Sequence, residues 1–301
     1  MSALYCVVED LSPLEAAPEL ARLPNLERLI ARADRLQVAP DWRAWASAPF
    51  GVNANAPVPV ARTVAASHGI ATTGASWFLA TPVKLVAAID HVRLDASGAI
   101  ALEQGAREAL AREHARDFAG TAFALLATPT GLLLRGPDDI DVDTHDPGPW
   151  AGRDVSAVLP RGRDSALLLR HMTELQMWLH SRGESRPTGA NALWCWGGAP
   201  GNLPQPARRP ALQTDDEYLN ALSRLTSVDA SAETLATYRF AGLGAERDPF
   251  AEAERRWFQP LARAVSRGRA AELWYAGSVY RLSRWQSLRR WRRPRPWWSA
   301  A

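Results

Sequence analysis

The chain has 301 residues, of which 47% are hydrophobic and 22% are charged, a composition typical of soluble globular proteins. The net charge is +3, but residues 281–301 carry seven arginines and no acidic residue, so the remaining chain is mildly acidic. This distribution excludes a surface that coats nucleic acid over the whole protein. Cys6 and Cys195 are too few for a disulfide framework and lack the spacing of metal ligands.

The sequence shows no targeting or membrane-spanning pattern. Its first ten residues have no basic region and too short an apolar run for a signal peptide. No stretch approaches the roughly 18 consecutive apolar residues of a transmembrane helix. We therefore expect a cytoplasmic location.

The N-terminal part predicts one strand followed by helices. Leu4–Val8 is a short apolar run typical of a buried strand. Ser12-Pro13 has the cap and first-turn residues of a helix start, and residues 23–36 place apolar side chains at helical spacing. Residues 41–50 predict another short helix, and residues 53–59 form a connector without periodicity.

From Ser76 onward the pattern changes to strands with interspersed helices. Residues 102–118 predict a clear helix, and Pro129-Thr-Gly131 predicts a hairpin turn. Thr81-Pro82 separates the first two of the predicted strands, which are residues 77–79, 84–88, 92–94, 123–126 and 132–134.

Residues 138–146 alternate acidic with apolar residues, a pattern typical of an edge strand whose polar face is exposed to solvent. A calcium loop starting at Asp139 would need glycine and glutamate where Thr144 and Trp150 stand. The sequence therefore favours the edge strand.

Ser165–Ser181 predicts the best helix of the chain. Its buried stripe repeats at spacings of four, three and four, with the members Leu168, Met172, Leu175 and Leu179. Gly183 would end this helix. Residues 192–196 then form a strand that breaks at Gly197-Gly198, and the end of a strand is where an open α/β sheet usually places a ligand.

Downstream the sequence predicts a Pro-rich loop at 200–210, two helices, a hairpin and a tail. The helices are residues 215–225 and 250–266, the hairpin strands are 273–276 and 279–282, and the tail at 281–301 is a basic, Trp-rich helix that Pro294 and Pro296 end. Because helical and strand patterns alternate, we expect one α/β domain over residues 1–301, built on an open mixed sheet flanked by helices.

Side chains of the strand at 192–196 alternate between two faces. Trp194 and Trp196 share one face, whereas Asn191, Leu193 and Cys195 share the other. Beside a glycine turn, two indoles can form a flat wall for a ring or a sugar. Alternatively, both pack under the neighbouring helix and the glycines only turn the chain. The residues alone leave these alternatives open.

The segment Asn191-x-x-Trp194-x-Trp196-Gly197-Gly198 resembles the Asn-x-Leu-Trp-x-Trp-Gly-x-Gly segment of the RpfE-type bacterial regulatory proteins. These proteins are called phosphoglycerate-mutase-like, because archaeal-type cofactor-independent phosphoglycerate mutases contain a similar segment. The resemblance implies an alkaline-phosphatase-like sheet and a ligand pocket at these residues.

Flanking motifs extend the resemblance over essentially the whole chain. Met172-x-Glu174-x-Gln176-Met177-x-x-His180 is similar to the family's helix, which adds Glu174, Gln176 and His180 to the expected ligand-binding residues. Thr81-Pro-Val-Lys84-Leu stands where the family has Asp-Pro-Val-His-Leu, so Lys84 is expected at the pocket in place of histidine. Thr173 and Ala199 also depart from the family pattern.

Two of these helix residues can act together. Gln176 and His180 are four residues apart and can meet one ligand, whereas Glu174 and Gln176, two apart, face different ways. The alternative is an exposed helix face with a local hydrogen bond.

Mutase chemistry needs a nucleophilic Ser or Thr and two metals held by clustered Asp and His. The six histidines are scattered singly, except that His145 lies in the acidic segment, and Glu9-Asp10 ends the first strand without a metal signature. Gly242-Leu-Gly244 lacks the third glycine of a dinucleotide site, and Cys195 is interpreted as a packed thiol. We expect no catalytic residues, no metal and no cofactor.

The tail at 281–301 has three interpretations. Its arginines and tryptophans, within Arg284–Arg295, fit an anionic membrane or single-stranded nucleic acid. In the third interpretation Leu282, Trp285 and Leu288 dock the helix on the body while the arginines face water.

The leading hypothesis is a cytoplasmic regulatory protein with a degenerate mutase-like pocket that binds a small ligand, phosphorylated ligands included, or a protein partner. One alternative is a metal-dependent phosphoglycerate mutase or phosphoesterase of the alkaline phosphatase superfamily. Another is an anion-binding module that acts through the Arg/Trp tail.

Overall fold

The computed structural model describes residues 3–9, 11, 21–38, 41–88, 91–182, 189–239 and 248–299. The predicted helix start at Ser12-Pro13, the helix stop at Gly183 and the Gly242-Leu-Gly244 turn lie outside the described residues. The chain divides into two compact units: Met1–Ala56 with Gln205–Ala301 forms unit 1, and Pro57–Pro204 forms unit 2. Two compact units can belong to one cooperatively folding domain, so the prediction of a single domain over residues 1–301 stays a prediction.

Both units combine helices with a sheet. The strands within the described ranges are β1 (Leu4–Glu9), β2 (Asp34–Val38), β3 (Ser76–Ala87), β4 (Val92–Ala99), β5 (Ala124–Ala127), β6 (Leu132–Gly136), β7 (Ala192–Trp196), β8 (Arg209–Gln213), β9 (Ala230–Arg239), β10 (Ala271–Tyr275) and β11 (Ser278–Leu282). The α-helices there are α1 (Pro24–Arg32), α2 (Trp42–Ala46), α3 (Val60–Ser67), α4 (Gln104–Asp117), α5 (Ser165–Ser181), α6 (Glu217–Leu225), α7 (Pro249–Ala253), α8 (Gln259–Ser266) and α9 (Arg284–Ser287).

Unit 1 is a six-stranded mixed sheet in the order β2-β11-β10-β1-β9-β8. Strands β10, β1, β9 and β8 are parallel, while β11 and β2 add an antiparallel edge. Helices α1, α7 and α8 cover one face, where they share a core with Cys6, Val8 and Trp297. Helices α2 and α6 pack against the sheet at β1 and β8. The carboxyl ends of the parallel strands therefore meet at one edge of the unit.

Unit 2 is a five-stranded antiparallel sheet in which β3 is central. Along its length β3 pairs with β6, then with β7 and β4. Helix α5 packs on β7 through a core that includes Leu193, Cys195 and the buried helix residues Leu168, Leu175 and Leu179. Helix α3 packs on β3. Strand β7, buried at all five positions, is thus covered by protein on both faces.

The predicted mixed α/β architecture with helices flanking the sheets is confirmed, with two sheets rather than one. Helix α5 and strand β7 have the predicted bounds, because their apolar periods are long and uninterrupted. The hairpins β5–β6 and β10–β11 also form. In the second, Ala276 and Gly277 both have positive φ, as a two-residue hairpin turn requires.

Two predictions of element type were wrong. The helix predicted over 23–36 ends at Arg32, and residues 34–38 become strand β2 because they pair with β11 at the sheet edge. The two strands separated by Thr81-Pro82 are one strand, β3. Proline is tolerated there because Pro82 lies between the stretch paired with β6 and the stretch paired with β4, next to an irregular register.

The acidic segment and the tail also differ from prediction. Residues 138–146 form no strand, since their ladder pairing is limited to one isolated bridge between Asp143 and Arg161. The tail helix is a single turn, α9, because residues 281–282 belong to β11 and the chain is irregular beyond Ser287. Helix α3 and strand β9 were not predicted.

Candidate functional site

The paired tryptophans of β7 lie inside unit 2. Trp194 is 2% exposed and Trp196 is 8% exposed. Each indole N–H has an internal acceptor: Trp194 Nε1 donates to the His145 carbonyl at 2.8 Å, and Trp196 Nε1 donates to Thr81 Oγ1 at 2.8 Å. Neither ring offers an open wall in this structure. The two rings also do not lie under α5, which packs on the Leu193 and Cys195 face.

The glycine turn is packed rather than open. Gly197 has φ +78°, and a Cβ there would lie 3.0 Å from Val60 Cβ on α3. A Cβ on Gly198 would overlap the Phe78 ring. The Gly197 carbonyl accepts from Ala61 N at 3.0 Å, while its N–H donates to Thr144 Oγ1 at 3.1 Å. The turn therefore brings β7 against α3 and the 144–145 segment.

The other predicted site residues lie apart from this turn. Asn191 joins β7 to β3: its Oδ1 accepts from Leu85 N at 2.7 Å, and its Nδ2 donates to the Leu85 carbonyl at 2.8 Å. Lys84 is exposed, with Nζ 3.7 Å from Asp95 Oδ2.

The predicted helix residues Gln176 and His180 are exposed on α5, and the half-buried Glu174 accepts from Arg170 Nε at 2.9 Å. Because α5 packs on the Leu193 and Cys195 face, the structure separates these residues from Trp194 and Trp196. Their role in ligand binding stays a prediction.

Cys195 is buried in the core of unit 2, and burial raises the pKa of its thiol to about 12. A thiol with this pKa is protonated at neutral pH, so it does not act as a nucleophile. The interpretation of Cys195 as a packed thiol is confirmed.

A carboxylate–arginine cluster occupies the edge of unit 1 where the parallel strands end. Glu9, at the end of β1, accepts from Arg239 Nη2 at 3.0 Å. Asp216 caps α6 and lies 2.9 Å from Arg43 Nη2, and both of these side chains are buried. Burial raises the pKa of Glu9 to about 7, with Arg239 opposing the rise. Glu9 Oε1 has no hydrogen-bond partner within the described residues.

This cluster does not fit a pair of catalytic metals. Within the described ranges no three His, Cys, Asp or Glu side chains come together as a ligand set. Glu9 and Asp216 are each engaged by a guanidinium group, which neutralises the charge that a cation would need.

A second feature of unit 1 is a cleft lined by arginines, between α1, α8 and the C-terminal segment. It has a volume of about 540 Å³, and none of the described residues in its lining is acidic. We call it the arginine cleft. Its arginines are Arg28, Arg32, Arg263, Arg284 and Arg290, and its other polar lining residues are Asn25, Gln259, Ser266 and Ser287.

The electrostatics of the arginine cleft favour an anion. Within the described residues none of its five arginines forms an ion pair with a carboxylate. Arg32 is partly buried; its Nη1 donates to the Ser287 carbonyl at 2.9 Å, and its Nε has no partner there. Burial, followed by repulsion from Arg28 and Arg290, lowers the pKa of Arg32. An anion in the cleft would offset the repulsion among these arginines.

Packing of the C-terminal segment forms one wall of the cleft. Asp34 pairs with Arg289 and accepts from Gln286, and these contacts lower its pKa to about 2. The Trp297 ring is buried, and its Nε1 donates to the Ala21 carbonyl at 2.9 Å. The docking interpretation of the tail is thus correct for Leu282, which is buried, and wrong for Trp285 and Leu288, which are exposed.

Sequence reasoning identified Arg284 and Arg290 but missed the other three arginines of the cleft. Arg28 and Arg32 are one helical turn apart on α1, and like charges at this spacing destabilise an isolated helix. The same spacing joins Arg263 with Arg267 and Arg112 with Arg116, so it does not single out the cleft residues. Only the packing of α1, α8 and the C-terminal segment brings the five arginines together.

Comparisons with known proteins give distant structural likeness only. No family model matches the chain, and no curated protein matches it. The PH0037 protein from Pyrococcus horikoshii aligns with 13% identity over 94% of this chain and 87% of its own, with a TM-score of 0.46. The cofactor-independent phosphoglycerate mutase from Thermoplasma acidophilum DSM 1728 aligns with 15% identity over 94% and 89%, with a TM-score of 0.36. At these values neither likeness carries an argument about ligand or reaction, and the RpfE-type resemblance stays a prediction.

Proposed function

We propose that this is a regulatory protein that binds a small phosphorylated ligand in the arginine cleft. The observation that carries the proposal is that five arginines, and no acidic residue, are among the described residues that line this concave space. Arginine presents a planar fork of donors that matches phosphate oxygens, and such bonds are stronger than those between neutral groups. The cleft therefore suits a dianion better than a neutral metabolite.

The size and chemistry of the cleft favour binding without turnover. Its volume of about 540 Å³ lies within the range of small-molecule sites, roughly 300–1,000 Å³. Its lining contains serine hydroxyls but no histidine or carboxylate to activate them. A site of this composition recognises a phosphate group and holds it, as a regulatory ligand site requires.

The carboxylate–arginine cluster is a weaker candidate for the same ligand. There, Arg43 and Arg239 already contact Asp216 and Glu9, and an anion would have to replace those pairs. Breaking a buried ion pair costs several kcal/mol, on the order of 3–5. The arginine cleft carries no such cost.

The test is calorimetric titration of the full-length protein with pyrophosphate. We expect the double variant Arg28→Gln/Arg263→Gln to weaken binding at least about tenfold, because each hydrogen bond to a charged group contributes roughly 1.5–3 kcal/mol. Both side chains are exposed, so the fold should be retained. The matched control is Arg112→Gln/Arg135→Gln in unit 2, which removes two exposed arginines outside the cleft.

Binding by the control should equal that of the wild-type protein, although both double variants lose the same net charge. Absence of pyrophosphate binding by the wild type, or equal losses in the two double variants, would contradict the proposal.

A further inference from the structure

The C-terminal segment exposes large apolar side chains beside the arginine cleft. Trp285 is 79% exposed, Trp291 is 75% exposed and Leu288 is 51% exposed. Trp285 follows the cleft residue Arg284, Trp291 follows the cleft residue Arg290, and Leu288 itself lines the cleft. Exposed apolar side chains grouped in this way mark interaction surfaces more often than scattered ones do.

The segment that carries these exposed side chains is itself docked onto unit 1. Before Trp285 the chain is held by the buried Leu282 in β11. Between Trp285 and Trp291, Arg289 pairs with Asp34. After Trp291, Arg292 Nη1 donates to the Ala33 carbonyl at 2.8 Å, and the buried Trp297 follows. The two exposed indoles are therefore presented by a segment anchored on both sides of each ring.

The charge around these rings is positive. Residues 281–301 contain no acidic residue, and Arg292, Arg293 and Arg295 are exposed next to Trp291. Tryptophan is favoured at the boundary between lipid and water, and arginine pairs with lipid phosphates there. The combination is complementary to an anionic lipid surface.

From these observations we infer that Trp285, Leu288 and Trp291 insert into an anionic membrane surface, and that the phosphate group bound by the arginine cleft is a lipid headgroup. The inference rests on the proposed function and names the source of its phosphate. Leu288 favours a membrane over single-stranded nucleic acid, because an aliphatic side chain gains from contact with acyl chains but provides no ring for base stacking. The mildly acidic remainder of the chain also opposes wrapping by a long polyanion.

Co-sedimentation of the full-length protein with vesicles tests the inference. We expect binding to mixed phosphatidylcholine–phosphatidic acid vesicles and much weaker binding to phosphatidylcholine alone. The variant Trp285→Ala/Trp291→Ala should lose about tenfold or more in vesicle affinity, because it removes most of the inserted apolar area. Its affinity for pyrophosphate should not change, since neither indole lines the cleft.

The matched control is Leu167→Ala/Met177→Ala, which truncates two exposed apolar side chains on α5 in unit 2 and should bind vesicles like the wild type. Circular dichroism of each variant verifies the fold. The Arg28→Gln/Arg263→Gln variant should also lose vesicle binding, which links the surface to the cleft.

Pyrophosphate binding without vesicle binding would leave the proposed function standing and overturn this inference. Equal vesicle affinity of the Trp285→Ala/Trp291→Ala variant and the control would overturn it as well. So would tighter binding of a thymidine oligonucleotide than of phosphatidic acid vesicles, lost in the tryptophan variant. Failure of pyrophosphate to bind counts against the proposed function itself.

Discussion

Two pairs of tryptophans in this chain have opposite environments. Trp194 and Trp196 in β7 are buried in unit 2, whereas Trp285 and Trp291 in the C-terminal segment of unit 1 are exposed. The buried pair lies in an apolar strand with no charged residue, as expected of a strand covered on both faces. In the exposed pair, each tryptophan directly follows an arginine. For these two pairs, the neighbouring residues in sequence agree with the environment of the rings.

The two pairs also differ in what their polar atoms do. The indole N–H groups of Trp194 and Trp196 donate to acceptors inside unit 2, so burial leaves neither unsatisfied. We therefore assign the first pair to the fold and the second pair to binding. The following experiments test that assignment.

Replacement of Trp194 should produce the largest effect. We expect Trp194→Ala to lower the free energy of unfolding by about 3–5 kcal/mol, because it leaves a cavity in a packed core. Trp291→Ala should change it by less than about 0.5 kcal/mol, since the ring is exposed. Urea denaturation of both variants measures the difference. Equal losses in the two variants would show that the second pair is also structural.

Two buried histidines should make the stability of unit 2, which contains Trp194 and Trp196, sensitive to acid. His114 and His171 are buried, with ring centroids 5.6 Å apart, and burial lowers the pKa of each to about 4. Unfolded imidazoles take up a proton near pH 6.5 but the folded ones only near pH 4, so stability is lost as pH falls through this window. Glu9, whose pKa is raised, has the opposite slope: its contribution is lost as pH rises from about 4.5 to about 7.

His171→Phe isolates the histidine effect. Phenylalanine can keep the stacking of this ring on Phe123, whose centroid is 4.3 Å away. Between pH 6.5 and pH 4 the free energy of unfolding should fall in both proteins. We expect the fall to be smaller in the variant by up to about 3 kcal/mol, because one titrating group is removed. Denaturant unfolding at several pH values measures this, and parallel pH profiles would contradict the assignment.

The glycine turn after β7 should give a smaller effect. A methyl group on Gly198 would overlap Phe78, so Gly198→Ala should cost about 2 kcal/mol of stability through overpacking. The control is Gly131→Ala, because a Cβ there meets no atom within 4 Å. If the two variants unfold at the same midpoint temperature, the turn at Gly198 can accommodate a methyl group and the predicted overpacking is wrong.

The hydrophobic pattern of the sequence predicted those elements that are determined by their own residues rather than by long-range pairing. Helix α5 and strand β7 were predicted with their observed bounds, because α5 has an apolar stripe at helical spacing and β7 is a short apolar run that ends at a glycine pair. Strand β9 was missed since its polar sequence forms a strand only between β1 and β8. Strand β2 was predicted as helix because its pairing with β11 is a long-range contact.

The candidate site was harder to predict for the same reason. The arginine cleft joins residues of α1, α8 and the C-terminal segment, which are far apart in sequence. The tail could be identified as basic from composition, but its anchoring by Trp297 depends on the fold. The resemblance directed attention to Trp194, where the structure shows a packed core.

The insertion of Pro57–Pro204 into unit 1 sets the order in which the nascent chain can fold. Strand β1 leaves the ribosome first, yet Leu4 pairs with Thr234 and Ala271. At a synthesis rate of roughly 5–20 residues per second, an apolar strand waits on the order of 10–50 s for its neighbours. Unit 2 is continuous in sequence and is complete earlier. The first strand therefore stays without its pairing partners until the whole of unit 2 has been synthesised.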